Sequence, residues 1–209
     1  MLISHKHKFI FFHIPKTGGT SVESKLKAFA DITAINQKDN IYWHHTEPQE
    51  LKTHFKSKNW EWNEYFKFAV VRNPWAFCLS IWTYAHQCKK QWQGMDTSNF
   101  PDLSWVRAVN NITSNNNYSD FCFKAYRQDT QYNFLHDPSG NCMVDYVCKL
   151  ENIQKDMDHV CDLLNLPAQK IAHENVSNKQ NYRIFYNKES RDFIGELCKN
   201  TISQFNYKF

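Results

Sequence analysis

The residues with the clearest chemical potential lie in His13-Ile-Pro-Lys-Thr-Gly-Gly-Thr-Ser21. Glycine is scarce in this chain, five in 209 residues, so two glycines side by side need a reason. Glycine lets a backbone approach an anion closely and take left-handed torsions. Lys16 adds a mobile positive charge, and Thr17, Thr20 and Ser21 add hydroxyl donors. The chemistry on offer is capture of a phosphate-like anion. The segment is not a Walker A loop, in which the lysine follows the last glycine, because Lys16 precedes Gly18 and Gly19.

A second set begins at Arg72, with Ser80 eight residues later. Ser80 and Thr83 are almost the only polar groups in an apolar stretch. A buried hydroxyl needs a partner, and an anion held jointly with Arg72 would supply one. Each residue alone is ordinary: a serine can bond its own helix carbonyl and an arginine can pair with a carboxylate. The third set is His44-His45. An imidazole near neutral pKa can take a proton from an acceptor hydroxyl. Adjacent residues of an extended chain point to opposite sides, so one of the two faces a given site. Glu47 and Glu50 are reserve candidates for the same task. A zinc site made of His5, His7, His44 and His45 lacks cysteine and follows no standard ligand spacing, so no metal is expected.

The elements that must position these groups can be read from periodicity. Phe9 to Ile14 is a continuous apolar run, the pattern of a buried parallel strand. Pro15 to Gly19 breaks it, and Thr20 to Ala30 resumes at helical spacing with Val22, Leu26 and Phe29 on one face and Glu23, Lys25 and Lys27 elsewhere. Strand, turn and helix put the lysine and glycines where free N–H groups and the helix dipole favour an anion. Ile41 to Trp43 leads into the histidines, and a short helix follows with Thr46 as N-cap and Gln49 at its third position. Phe66 to Val71 is a second strong strand, ending at Arg72-Asn73-Pro74, and Pro74 suits the first turn of a buried helix from Trp75 to about His86. Residues 90–120 read as loops around one or two short helices, Cys142 to Leu150 as a strand, Ile153 to Leu164 as an amphipathic helix and Lys188 to Phe205 as a final helix. Strands alternating with helices predict an α/β fold: a single domain over 1–209, a three-layer sandwich with a central parallel sheet covered on both faces.

Composition sets bounds. Hydrophobic residues make up 42% and aromatics 16%, which marks a globular chain. A net charge of +4 without a block of like charges suits a small anionic ligand and is too weak for nucleic acid. Seven cysteines with no CxxC pair read as reduced thiols, and the run Phe9 to Ile14 is too short for a signal core or a membrane span, so a cytoplasmic protein without a membrane partner is expected.

Pro15-Lys-Thr-Gly-Gly-Thr-Ser21 resembles the 5′-phosphosulfate-binding loop of the sulfotransferase superfamily, and Val71-Arg-Asn-Pro-Trp75 with Ser80 resembles its 3′-phosphate motif. The chain is most similar to the sulfotransferase family 2 group, which includes heparan sulfate 2-O-sulfotransferase-like and bacterial carbohydrate sulfotransferase-like proteins. The likeness continues through His45 to Leu51, Val144 to Asn152 and Asn175 to Tyr182. It implies a P-loop-like phosphate-binding turn and transfer of a sulfuryl group from PAPS (3′-phosphoadenosine 5′-phosphosulfate), leaving PAP, to a hydroxyl on a small molecule or glycan. It also implies roles. Lys16 would contact the oxygen bridging phosphate and sulfate. The backbone of Thr17, Gly18, Gly19 and Thr20, with the Thr20 and Ser21 hydroxyls, would hold the 5′-phosphate. Arg72 and Ser80 would hold the 3′-phosphate, and a loop with Ser177, Lys179 and Tyr182 would close over the nucleotide. His45 falls where the family motif has its histidine, which favours it over His44 as base. Phe77 stands where the family usually has arginine and Cys148 where glycine is common. A P-loop kinase would need a G-K-[ST] ending and an acidic Mg²⁺ ligand after a strand, and neither is found. A non-catalytic nucleotide-binding relative is the remaining alternative, and intact Lys16, Arg72 and Ser80 speak against it.

Overall fold

The structure is a computed structural model that describes residues 1–37, 39–98, 100, 102–171 and 181–209. The chain forms two compact units, one of residues 1–72 and 133–176, the other of 73–132 and 177–209.

The first unit holds a five-stranded sheet in the order β3-β1-β2-β4-β5, with β1 Leu2–Ser4, β2 Phe9–Phe12, β3 Ile32–Thr33, β4 Phe66–Val71 and β5 Tyr146–Lys149. β2, β4 and β5 run parallel, as the apolar runs imply. The sheet is nevertheless mixed, not parallel throughout, because β1 pairs antiparallel with both β2 and β3. The reason is local: four residues, His5 to Lys8, turn the chain straight back, with Lys8 at φ 52, and so short a connection permits only a hairpin. The continuous apolar strands are buried on both faces. On one face Phe9, Phe11, Phe68, Val70 and Cys148 pack with Val22 and Leu26 of α1 (Gly19–Leu26) and Met157 and Val160 of α7 (Ile153–Leu163). The alternate residues Ile10, Phe12, Ala69 and Val71 are equally inaccessible to solvent, with Trp62 beside Phe12. Lys67 is buried in β4 because its Nζ donates to the Tyr65 carbonyl at 2.6 Å and lies 2.9 Å from Asp145 Oδ2.

Thr46 does not cap a helix. Its hydroxyl donates to the Ile41 carbonyl, and α2 starts later, at Pro48–Ser57, with Glu47 as N-cap. The first helix ends at Leu26 and a 3₁₀ turn, Lys27–Phe29, completes the stretch read as one helix to Ala30.

In the second unit, α3 spans Pro74–Gln91, its first turn capped by the Asn73 side chain, which accepts from the Trp75 and Ala76 amides, with Pro74 opening the helix. α4 (Leu103–Thr113) and α5 (Tyr118–Lys124) follow, and α6 (Thr130–Leu135) returns the chain towards the sheet unit. The expected final helix is two, α8 (Lys188–Leu197) and α9 (Lys199–Phe205). The N-terminus of α9 has no cap of its own; buried Asp129 accepts from the Thr201 amide at 2.9 Å and hydroxyl at 2.6 Å. All seven cysteines are free, and only Cys142 is exposed. Among the described residues no helix is long and apolar enough to cross a membrane.

Candidate active site

In a parallel sheet, ligands gather at the carboxyl ends of the strands. β2 ends at Phe12 and runs into the turn 13–18; its parallel neighbour β4 ends at Val71, placing Arg72 beside that turn. The Arg72 Nη1 donates to the Lys16 carbonyl at 3.3 Å. Two motifs 56 residues apart in sequence thus meet at one edge.

The turn has an unusual backbone. Lys16 has φ 64 and Gly18 φ 83, whereas Thr17 between them is not in the left-handed region. Left-handed residues on either side of one that is not are the kind of backbone from which an anion-binding nest can be built. Gly18 then serves as N-cap of α1, and no side chain caps that end. Thr17 is not a ligand donor as far as its side chain goes: its hydroxyl is buried and donates to the Ile14 carbonyl at 2.8 Å, so it braces the turn. Thr20 is exposed and Ser21 buried at the start of α1. Gly19 is required for a second reason. A Cβ there would stand 2.0 Å from Cδ2 of His13, whose ring occupies that space. A cavity of about 300 Å³ lined by Leu150 to Lys155 and Ile171 adjoins the turn through Leu150, whose Cδ1 lies 2.6 Å from the place of a Gly18 Cβ.

His45 is half-buried, and its Nδ1 lies 2.8 Å from the His13 carbonyl. A carbonyl only accepts, so Nδ1 carries the proton and Nε2 keeps its lone pair. Burial, with His13 nearby, pushes the His45 pKa down to about 4 against the opposing pull of that hydrogen bond, so the ring is neutral at physiological pH. His44 meets a different partner, its Nδ1 3.8 Å from Glu23 Oε2. The segment is a turn rather than extended chain, closed by the Thr46 amide donating to the Trp43 carbonyl at 3.3 Å, so the expected strand-like alternation does not apply, and both rings lie near that of His13. Glu47 has its pKa raised by burial, and Glu50, at its back, raises it further.

Two residues of this neighbourhood escaped the sequence reading. In the sequence His13 shows no task of its own, and Glu23 shows only as lying off the apolar face of its helix. In fact Glu23 Oε1 lies 3.3 Å from His13 Nδ1 and receives the Met1 ammonium. Burial pushes the Glu23 carboxyl up, but contacts from His13, His44 and the Met1 ammonium outweigh it and hold the carboxyl well below the usual range. Only the charge complement of a distant histidine pair could have hinted at this, and no spacing rule reports it.

Ser80 lies on α3 in the other unit, 3% exposed, and its hydroxyl has no hydrogen-bond partner. Thr83, by contrast, donates back to the Leu79 carbonyl at 3.0 Å. Ser177 and Lys179 fall outside the described residues. The two departures from the family pattern are both apolar core positions, Phe77 and Cys148 being fully buried.

No curated protein and no solved structure matches the chain significantly. The sequence does match the sulfotransferase family over residues 1–205, nearly its whole length, and the chain belongs to that family.

Proposed function

We propose that this sulfotransferase-family chain, on the three-layer α/β sandwich its sequence implies, uses PAPS as donor and transfers its sulfuryl group to a carbohydrate hydroxyl. The observation that carries the donor reading is the turn of alternating handedness at the uncapped start of α1 with the Arg72 guanidinium against it. Such a P-loop-like turn offers backbone N–H groups and two flanking cations to a doubly phosphorylated nucleotide. Ser80 is a further phosphate contact on the strength of the motif it belongs to and of its own unpartnered hydroxyl.

The reaction is in-line displacement at sulfur. The acceptor oxygen forms a new bond to sulfur while the bond from sulfur to the phosphate oxygen breaks, and PAP departs. His45 Nε2 takes the acceptor's proton, and its tautomer is already the right one. Lys16 neutralises charge growing on the leaving oxygen. The carbohydrate acceptor rests on the family likeness.

Calorimetric titration with PAP, ATP and AMP tests the donor. Micromolar PAP binding, lost in Arg72→Ala, with weak ATP binding supports the reading. Absence of PAP binding, or a preference for ATP with Mg²⁺, overturns it in favour of a kinase.

A further inference from the structure

We propose that His13, Glu23 and His44 form a binding site for one zinc-like divalent metal ion. The three side chains come from different elements: His13 from the end of β2, Glu23 from the middle of α1, His44 from the segment before α2. Their ligand atoms all lie within 4.8 Å of one another.

The spacing fits a small tetrahedral ion. Nitrogen and oxygen ligands at roughly 2.0–2.2 Å from zinc stand about 3.3 Å apart. His13 Nδ1 and Glu23 Oε1 are already 3.3 Å apart, and His44 Nδ1 is 3.8 Å from Glu23 Oε2. The two distances run to different oxygens of Glu23, and binding must draw the set, now within 4.8 Å, closer together. Two imidazoles and one carboxylate favour zinc and its transition-metal neighbours over magnesium or calcium.

A second observation points the same way. The His13 side chain is 9% exposed, and its Nδ1 has no hydrogen-bond partner; the 3.3 Å approach of Glu23 is out of line for one. An unpartnered nitrogen in a packed interior is left without the partner it had in water, and a metal bond would supply one. Burial pushes the His13 pKa down and the surrounding cationic contacts hold that of Glu23 down, shifts toward the neutral imidazole and the carboxylate that ligate. The Met1 ammonium, which contacts Glu23 Oε1 and the His44 carbonyl, is the competing cation. Metal binding must displace it.

The inference stands apart from the donor and acceptor assignments, and the ion takes no part in the transfer step. It ties the start of the turn to α1 and to the histidine segment. The test uses the full chain stripped with a chelator and titrated with Zn²⁺ against a chromophoric chelator, with bound metal counted by mass spectrometry. One equivalent of zinc is expected, weakened at least about tenfold in Glu23→Gln and in His44→Asn and unchanged in Cys142→Ser. Circular dichroism checks that each variant is folded; should Glu23→Gln fail, His44→Asn at the surface decides alone. No uptake, or uptake undiminished in folded His44→Asn, overturns the proposal.

Discussion

Replacing Gly19 with alanine sets two physical effects against each other with opposite signs. Gly19 opens α1 and does not have positive φ, so helix propensity alone promises a gain of up to about 1 kcal/mol. The added methyl, however, would lie 2.0 Å from Cδ2, 2.4 Å from Nε2 and 2.5 Å from Cγ of His13. Carbon contacts settle near 3.5–4.0 Å, so the imidazole must retreat by roughly 1.5 Å. It has nowhere to go. The ring lies parallel to Phe11, edge-on to His45 at a centroid distance of 4.9 Å, and against Glu23. Overpacking of this kind costs about 1–3 kcal/mol before the lost His13–Glu23 contact is added. The net expectation for Gly19→Ala is a loss of about 2 kcal/mol, a fall in melting temperature of roughly 4–8 °C. Thermal unfolding followed by circular dichroism measures it. Gly94→Ala is the control: with φ 79 and no atom within 4 Å it should show only the left-handed penalty, about 1 kcal/mol. A Gly19→Ala protein as stable as the parent, or more so, refutes the steric reasoning and the packing of His13 with it.

Three further outcomes are expected. The His45 pKa of about 4 in the folded protein lies below the ordinary 6.5, so the folded state binds fewer protons between those values. The corresponding stability is complete above pH 6.5 and is lost as pH falls towards 4, by at most about 3 kcal/mol; a His45→Asn protein should lose visibly less over that window in melting curves at stepped pH. His45→Ala should lower kcat by at least about 100-fold while leaving PAP affinity unchanged, measured by single-turnover transfer and calorimetry. Asp129→Ala should cost roughly 3 kcal/mol, because it strips the Thr201 amide and hydroxyl of a buried charged acceptor, and chemical denaturation reads the loss directly.

Long apolar runs made the centre of the sheet legible. Phe9 to Phe12 and Phe66 to Val71 announce themselves because both faces of a parallel strand are dry, and the helix Ile153–Leu163 follows from its 3.6-residue stripe. Leu2–Ser4 did not, since three residues are too few to show a period and the His-Lys turn after them masks the hairpin. The candidate site divides the same way. Lys16, Gly18 and Arg72 could be found because each motif is contiguous. Glu23 could not, because its partners come from residues 13 and 44, and only folding brings them within reach. Thr46 misled because a cap residue and a turn-bracing hydroxyl look identical until the carbonyl it meets, that of Ile41, is in place.

The acceptor that orients His45 is a main-chain oxygen, that of His13. Every amino acid supplies such an oxygen, so no substitution at position 13 can delete the contact. Only an insertion or deletion that reroutes the chain between β2 and the turn would remove it. A mutational scan should therefore find the orientation of the base insensitive to what stands at 13 and intolerant of changes in segment length there. In engineering terms this one contact constrains the residue count before the turn and not the side chain carried at position 13.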